Sequence, residues 1–130
     1  MNLRQIAVVN LSFGLLAGLF VNTAHAAPAG DAKAGADVFD QECSDCHSVK
    51  QGKNKKGPSL FGVVDRKSAS IADFVYSDPM RALNIAWSLD KIESYITNPK
   101  AVVPGGKMKY DGLGDEKERA DLLAFLAAQK

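Results

Sequence analysis

The chain has 130 residues, with 16 basic against 15 acidic side chains and a net charge of +1. That balance excludes a dedicated nucleic-acid binder, which wants a strongly basic domain, and the length suits a single domain. The distribution is less even: residues 50–109 hold eleven Lys or Arg against five Asp or Glu, while the two ends together are acidic.

The chain opens with one charge, Arg4, then runs apolar from Ile6 to Val21 and reaches Ala24-His25-Ala26. This is the layout of a signal peptide, with Ala24 and Ala26 as the small pair before the cleavage site. As an anchor the run is poor, because Asn10, Ser12, Gly14 and Gly18 interrupt it and it falls short of the ~20 residues that span a bilayer. Residues 1–26 are therefore expected to be removed on export to the periplasm, leaving a mature domain of residues 27–130. A domain of that size buries a modest fraction of its surface, which leaves room for something else to supplement its core.

From Asp31 to Cys46 good helix formers dominate, with Ala34, Val38 and Phe39 at one-turn spacing, and one helix is expected. Residues 47–78 are rich in Gly, Lys, Ser and Pro and read as a loop, with Leu60, Phe61, Val63, Val64, Phe74 and Tyr76 as its buried material. Met80 follows Pro79 in what reads as the same polar loop. Ser88 is the expected N-cap of a second helix, with Leu89, Ile92 and Ile96 on its apolar face until Asn98-Pro99 stops it. Asp115 and Glu118 stand in capping-box relation before a third helix, whose inner face is Leu122, Leu123, Phe125 and Leu126 and which runs nearly to Lys130. No alternating strand pattern competes, so the fold class is all-α.

Cys43-Ser44-Asp45-Cys46-His47 is C-x-x-C-H, the attachment signature of c-type haem. On a helix, residues three apart share a face, so both thiols can reach the two vinyl groups of a porphyrin while the adjacent His turns towards the iron. Zinc is the first rival, but structural zinc usually takes four ligands, and the mature chain offers two Cys and one His. A thioredoxin-like redox pair is the second, and it belongs to a βαβ setting that this chain lacks. For a sixth iron ligand the candidates are Met80, Met108, a lysine or water. Met108 is preferred because it closes the turn Pro104-Gly105-Gly106-Lys107-Met108. Taken alone, either Met would more often be adaptable core filler.

With these residues in place the mature chain resembles the class I cytochromes c along its whole length, in particular short bacterial members of the mitochondrial type. Asn98-Pro99-Lys100 followed by Pro104 to Met108 is similar to the family's N-P-K…P-G-T-K-M ligand loop. Gly57-Pro58-Ser59-Leu60 is similar to its G-P-N-L segment, and Tyr76-Ser77-Asp78 and Trp87 fall at the expected separation. The resemblance implies the cytochrome c fold, with crossed N- and C-terminal helices, a further helix and long loops around one haem. It implies that Gly35 and Phe39 meet Leu122 and Phe125 at that crossing, and that the Pro58 carbonyl accepts the other ring N–H of His47, orienting the imidazole. It places Tyr76 and Trp87 as donors to a buried propionate with Arg66 nearby, Tyr95 beside the Met108 sulfur and Tyr110 over the haem edge. Three positions depart from the family: Met80 stands in place of Asn, Gly106 in place of Thr and Asp65 in place of Gly. The first two remove hydrogen-bonding groups from beside the haem, whereas Asp tolerates unusual backbone angles.

The function these readings imply is a soluble, monomeric periplasmic carrier of single electrons on one haem c, covalently held through two thioethers and ligated by His47 and Met108. With both axial sites filled no catalytic residue is expected. A haem enzyme or haem-based sensor with a labile Met ligand is the alternative. Membrane redox complexes or soluble redox proteins are the expected partners, docking at a haem edge rimmed by Lys100, Lys107 and Lys109.

Overall fold

The computed structural model describes residues 30–130, as five helices joined by long loops. The signal segment of residues 1–26 lies outside the described residues. Helix α1 is Ala32–Glu42, α2 Asp78–Ala82, α3 Leu89–Thr97, α4 Pro99–Val102 and α5 Glu116–Ala127. Among the described residues the one extended pairing is an isolated antiparallel bridge between Lys67 and Ala86.

Helix α1 starts where Asp31, in extended conformation, turns its carboxylate back to accept from the Lys33 amide at 2.8 Å. Its principal neighbour is α5, which begins in the same way, with the Asp115 carboxylate accepting from the Glu118 amide at 2.9 Å. Glu116 and Glu118 place negative charge on the first turn, where the helix dipole favours it. The two helices cross at Gly35: a Cβ there would stand 2.0 Å from the Asp121 carbonyl oxygen, so only glycine lets the backbones approach this closely. One turn on, the Phe39 and Phe125 rings lie 5.4 Å apart at a 42° tilt, a pairing worth ~0.5–1.5 kcal/mol beyond its burial. The expected crossing is thus present.

Asp121 and Arg119 are buried on α5, and neither is foreshadowed by an apolar stripe. Asp121 is 4 % exposed, accepts from the Asp31 amide at 2.7 Å and pairs with Lys117 at 2.5 Å. Arg119 donates to the Leu113 and Gly114 carbonyls at 2.8 Å each, which pins the approach to α5 against the side of α3. The core around them joins Phe39, Val63, Trp87, Ile92, Ile96, Leu113, Leu122, Leu123 and Leu126.

Two expectations change, at the end of the first helix and at Met80, and two hold with added detail, at Asn98-Pro99 and Ser88. The first helix does not reach Cys46: α1 ends at Glu42, and residues 43–46 form a turn. The amides of Cys43 and Ser44 both converge on the Phe39 carbonyl, which ends the regular ladder, and the free carbonyls of the turn bond to a later loop instead. Met80 lies on a short helix, α2, because Ser77 caps it and Pro79 fits a first turn. Asn98-Pro99 ends α3 and at once opens α4, the Asn98 side chain accepting from the Ala101 amide at 3.1 Å. Ser88 stands at the N-cap of α3 without a side-chain bond. The last helix ends at Ala127, within the expected reach.

The loop from 47 to 77 is fastened in place. Asp65 and Trp87 exchange bonds with the Trp87 and Arg66 backbones at 2.9 Å each, and the Gly62 amide reaches the Gln129 carbonyl at 2.7 Å. Asp65 takes φ 61°, the left-handed conformation that the position needs and that Asp accepts.

Candidate functional site

The site is built on the turn after α1 and the loop that closes over it. The His47 amide bonds the Cys43 carbonyl at 2.8 Å, so the C-x-x-C-H segment keeps one helical turn of winding after the helix has ended. Cys43 is thereby half-buried and Cys46 exposed, three residues apart on that turn. The loop then ties itself to the motif. The Gly57 amide donates to the Cys46 carbonyl at 2.7 Å, and the Lys55 ammonium donates to the Ser44 carbonyl.

This tie delivers Pro58 to His47. The Pro58 carbonyl lies 2.8 Å from His47 Nδ1; a carbonyl can only accept, so Nδ1 carries the proton and Nε2 presents its lone pair. Burial, with the charges of Arg66 and Lys55, holds the imidazole below its ordinary range against the opposing pull of the Pro58 bond. The ring is therefore neutral at pH 7, the form that binds a metal. Behind it, a Cβ on Gly57 would stand 2.3 Å from His47 Cε1. Gly57 is thus a site residue because it leaves room for the ring.

Burial, followed by the negative charge of Glu42 and the neighbouring Cys46, pushes the Cys43 thiol up to about 12. A thioredoxin-type pair works by the opposite shift, towards a stable thiolate, so the environment speaks against redox dithiol chemistry. Among the described residues no group of three or more His, Cys, Asp or Glu converges that could hold a metal ion.

Leu60, Val64, Met80, Leu83, Ile85, Tyr95 and Tyr110 pack against the core and remain partly accessible. A chain with such half-exposed apolar side chains, paired thiols and a pinned imidazole suits a flat apolar group attached at the thiols and ligated at His47 Nε2. The residues fit haem c.

The remaining expected site residues fall as follows. Trp87 is buried, and its ring lies 5.1 Å from that of Tyr95. Burial raises the Tyr95 phenol. Arg66 spends its guanidinium on the Phe61 and Ser59 carbonyls at 2.8 and 2.9 Å. Its charge lies near Tyr76, whose phenol is raised by burial in spite of it and whose ring meets Phe74 edge-on at 4.8 Å. Met108 is half-buried in the segment that follows α4. Lys100, Lys107 and Lys109 are exposed, but Lys100 is not free: it pairs with Asp111 at 2.7 Å. Sequence reasoning missed Lys55 and Gly57 as parts of the site, and also Glu42, which accepts from the Tyr110 hydroxyl at 2.8 Å.

Comparison with known proteins agrees with this geometry. The family model described as Cytochrome c matches residues 32–130. The chain is 43 % identical over 103 residues to cytochrome c of Guizotia abyssinica, covering 78 % of this chain and 93 % of that one. It is 44 % identical over 98 residues to cytochrome c of Arabidopsis thaliana, covering 75 % and 88 %. With "Cytochrome c 2.1" of Caenorhabditis briggsae it shares 38 % over 102 residues, covering 78 % and 91 %. A helical fold with crossed terminal helices, a C-x-x-C-H turn with its histidine pinned from behind and a family match across nearly the whole described chain lead to one conclusion: the protein belongs to the cytochrome c family, carries one haem c bound through Cys43 and Cys46, and transfers electrons by it.

Proposed function

We propose that the mature chain, residues 27–130 after removal of the signal segment, is a periplasmic carrier that moves one electron at a time between redox complexes. The observation that carries the reading is the His47–Pro58 bond at 2.8 Å, which leaves Nε2 as the iron-facing nitrogen. His47 and Met108 would ligate the iron. Haem c would supply the one-electron couple, and ligation by methionine would raise its potential. The chain's own residues hold and shield that couple. Gly57 and Pro58 fix the imidazole, and Trp87 and Tyr76 would offer donors to the propionates, with Arg66 nearby but already donating to the Phe61 and Ser59 carbonyls. Tyr95 would lie beside the methionine sulfur, and the half-buried Leu and Ile side chains would exclude water. No side chain is needed as acid, base or nucleophile, and with both axial positions filled no substrate reaches iron.

The test is a pair of purified holoproteins. Met108→Ala is expected to lose the thioether–iron absorption band, lower the potential and bind added cyanide or imidazole quickly, while Met80→Ala keeps the band. Loss of the band in the Met80 variant alone would overturn the assignment. Mass spectrometry of the exported wild-type protein should give a haem-bearing chain that begins at Ala27; one retaining residues 1–26 would replace the soluble carrier by an anchored one.

A further inference from the structure

The Tyr110 hydroxyl donates to Glu42 Oε2 at 2.8 Å across 68 residues of chain. Glu42 is the last residue of α1 and immediately precedes Cys43; Tyr110 lies two residues beyond Met108. One hydrogen bond thus joins the segment with the proposed sixth ligand to the turn with the thioether cysteines and the proposed fifth.

The rest of that segment is tethered only locally. Its other bonds are from the Gly106 amide to the Val103 carbonyl at 3.0 Å and from Lys100 to Asp111 at 2.7 Å. Among the described residues the Tyr110–Glu42 bond is the one hydrogen bond that runs from residues 104–112 to the N-terminal half of the chain. A cleft of about 350 Å³ is lined by Gly105 and Lys107 together with residues 75–79 and Arg81. The Gly105-Gly106 pair adds freedom. Gly105 requires its glycine, at φ +76°; Gly106 lies outside the left-handed region, but a Cβ there would come 3.1 Å from the Val103 carbonyl oxygen, so both glycines suit the closed turn while widening the freedom of the open chain. A segment with a two-glycine hinge and few hydrogen bonds to the rest of the chain opens easily.

We propose that the Tyr110–Glu42 bond is a latch that keeps the 104–112 segment shut over the haem, which makes both side chains positioning residues for the methionine ligand. The inference rests on Met108 being that ligand. A phenol donating to a carboxylate is a charge-assisted bond, stronger than one between neutral groups.

The experiment measures imidazole binding to the ferric holoprotein at saturating imidazole, where opening of the segment limits the rate. Tyr110→Phe keeps the ring and removes only the donor; Glu42→Ala removes the acceptor. Each is expected to speed binding by about tenfold, the scale of a charge-assisted bond. The double variant should be no faster than either single one, because both break the same bond. Glu42→Gln, whose carbonyl still accepts, should be accelerated less. Unchanged rates in both single variants, or accelerations that multiply in the double variant, would overturn the latch. A fall in the global denaturation midpoint with no change in imidazole rate would also overturn it, since it would make the bond a structural tie only. Failure of the ligand assignment looks different: the thioether–iron band would be missing from the wild type at neutral pH or would survive Met108→Ala.

Discussion

The two halves of this molecule are held together by different means. Where α1 meets α5, backbone lies against backbone: Gly35 leaves no room for a Cβ beside the Asp121 carbonyl, and Asp121 itself is 4 % exposed, between the Asp31 amide and Lys117. Around the haem-attachment turn, side chains reach across to backbone carbonyls or, once, to a carboxylate. His47 meets Pro58, Lys55 meets Ser44, and Tyr110 meets Glu42. The helical crossing has no slack, because neither backbone can move without the other. The cradle is a set of separable tethers, and one of them can fail while the rest hold. An electron carrier benefits from both: a rigid frame keeps reorganisation small, and adjustable tethers set how firmly each axial ligand is presented.

Adding one methyl group on each side breaks the comparison most sharply. Gly35→Ala sets a Cβ 2.0 Å from a helix carbonyl that cannot yield, so α1 must leave α5. The expected loss is ~3 kcal/mol or more, at the upper end of overpacking effects. Gly57→Ala sets a Cβ 2.3 Å from the His47 ring, which can rotate away. The expected loss of global stability there is ~1 kcal/mol, about one hydrogen bond, with a clear change in the haem spectrum as the imidazole is displaced. Urea unfolding and absorption spectra of both variants provide the check. Equal destabilisation by the two would mean that the cradle is as rigid as the frame.

The next contrast is between two aspartates of similar chemistry. Asp121 is held below the usual carboxylate range chiefly by its bond to Lys117 and then by the Asp31 amide; Asp111 is held down by Lys100. A depressed carboxylate contributes stability that is present above its unfolded value, ~3.9, and is lost as pH falls through the lower folded value. Asp121 also joins the two terminal helices, so Asp121→Asn should flatten the acid limb of the stability profile and lower stability at pH 7. Asp111 is exposed, and exposed pairs contribute little, so Asp111→Asn should leave both nearly unchanged. Unfolding midpoints between pH 3 and 7 would decide it, and equal flattening by the two variants would contradict the separate role given to Asp121.

Much of this was legible in the chain itself, and the failures have physical reasons. Asp115 and Glu118 announced α5, because caps and apolar spacing are local signals, whereas the meeting of Phe39 with Phe125 came from the family resemblance. The haem was legible because C-x-x-C-H is a local pattern too. Helix α2 was hidden by Pro79, which reads as a breaker but fits a first turn. The end of α1 was misplaced because Cys43, Ser44, Asp45 and Cys46 are weak helix formers, and the Ser44 and Cys46 carbonyls are captured by a later loop through Lys55 and Gly57. Buried Arg119 and Asp121 could not be foreseen, since their partners, the Leu113 carbonyl and the Asp31 amide, are backbone groups brought together by the fold. The Glu42 and Tyr110 pairing spans 68 residues, and no local pattern carries it.

The smallest expected effect concerns the lysines at the rim, where the structure separates residues that look equivalent in sequence. Lys100, Lys107 and Lys109 are all exposed, but Lys100 is paired with Asp111 at 2.7 Å, whereas Lys107 and Lys109 stand in no ion pair among the described residues. A paired lysine presents a dipole rather than a full charge to an approaching partner, so its contribution to long-range steering is partly cancelled. If the partner's docking face is acidic, Lys107→Glu should slow association severalfold at low salt and Lys100→Glu by less, with both differences fading as ionic strength shortens the range of the field. Asp111→Asn should act in the opposite direction and speed association by freeing Lys100. Lys117 is no neutral control, because it neutralises buried Asp121; Lys33, exposed on α1, serves instead, and Lys33→Glu should change the rate least. Stopped-flow electron transfer with the physiological partner over a salt series provides the measurement, and the potentials of all four variants should stay close to that of the wild type. Slowing by Lys33→Glu as large as that by Lys107→Glu would remove the docking role from the rim, and slowing by Asp111→Asn would show that the paired carboxylate, rather than the lysine, meets the partner.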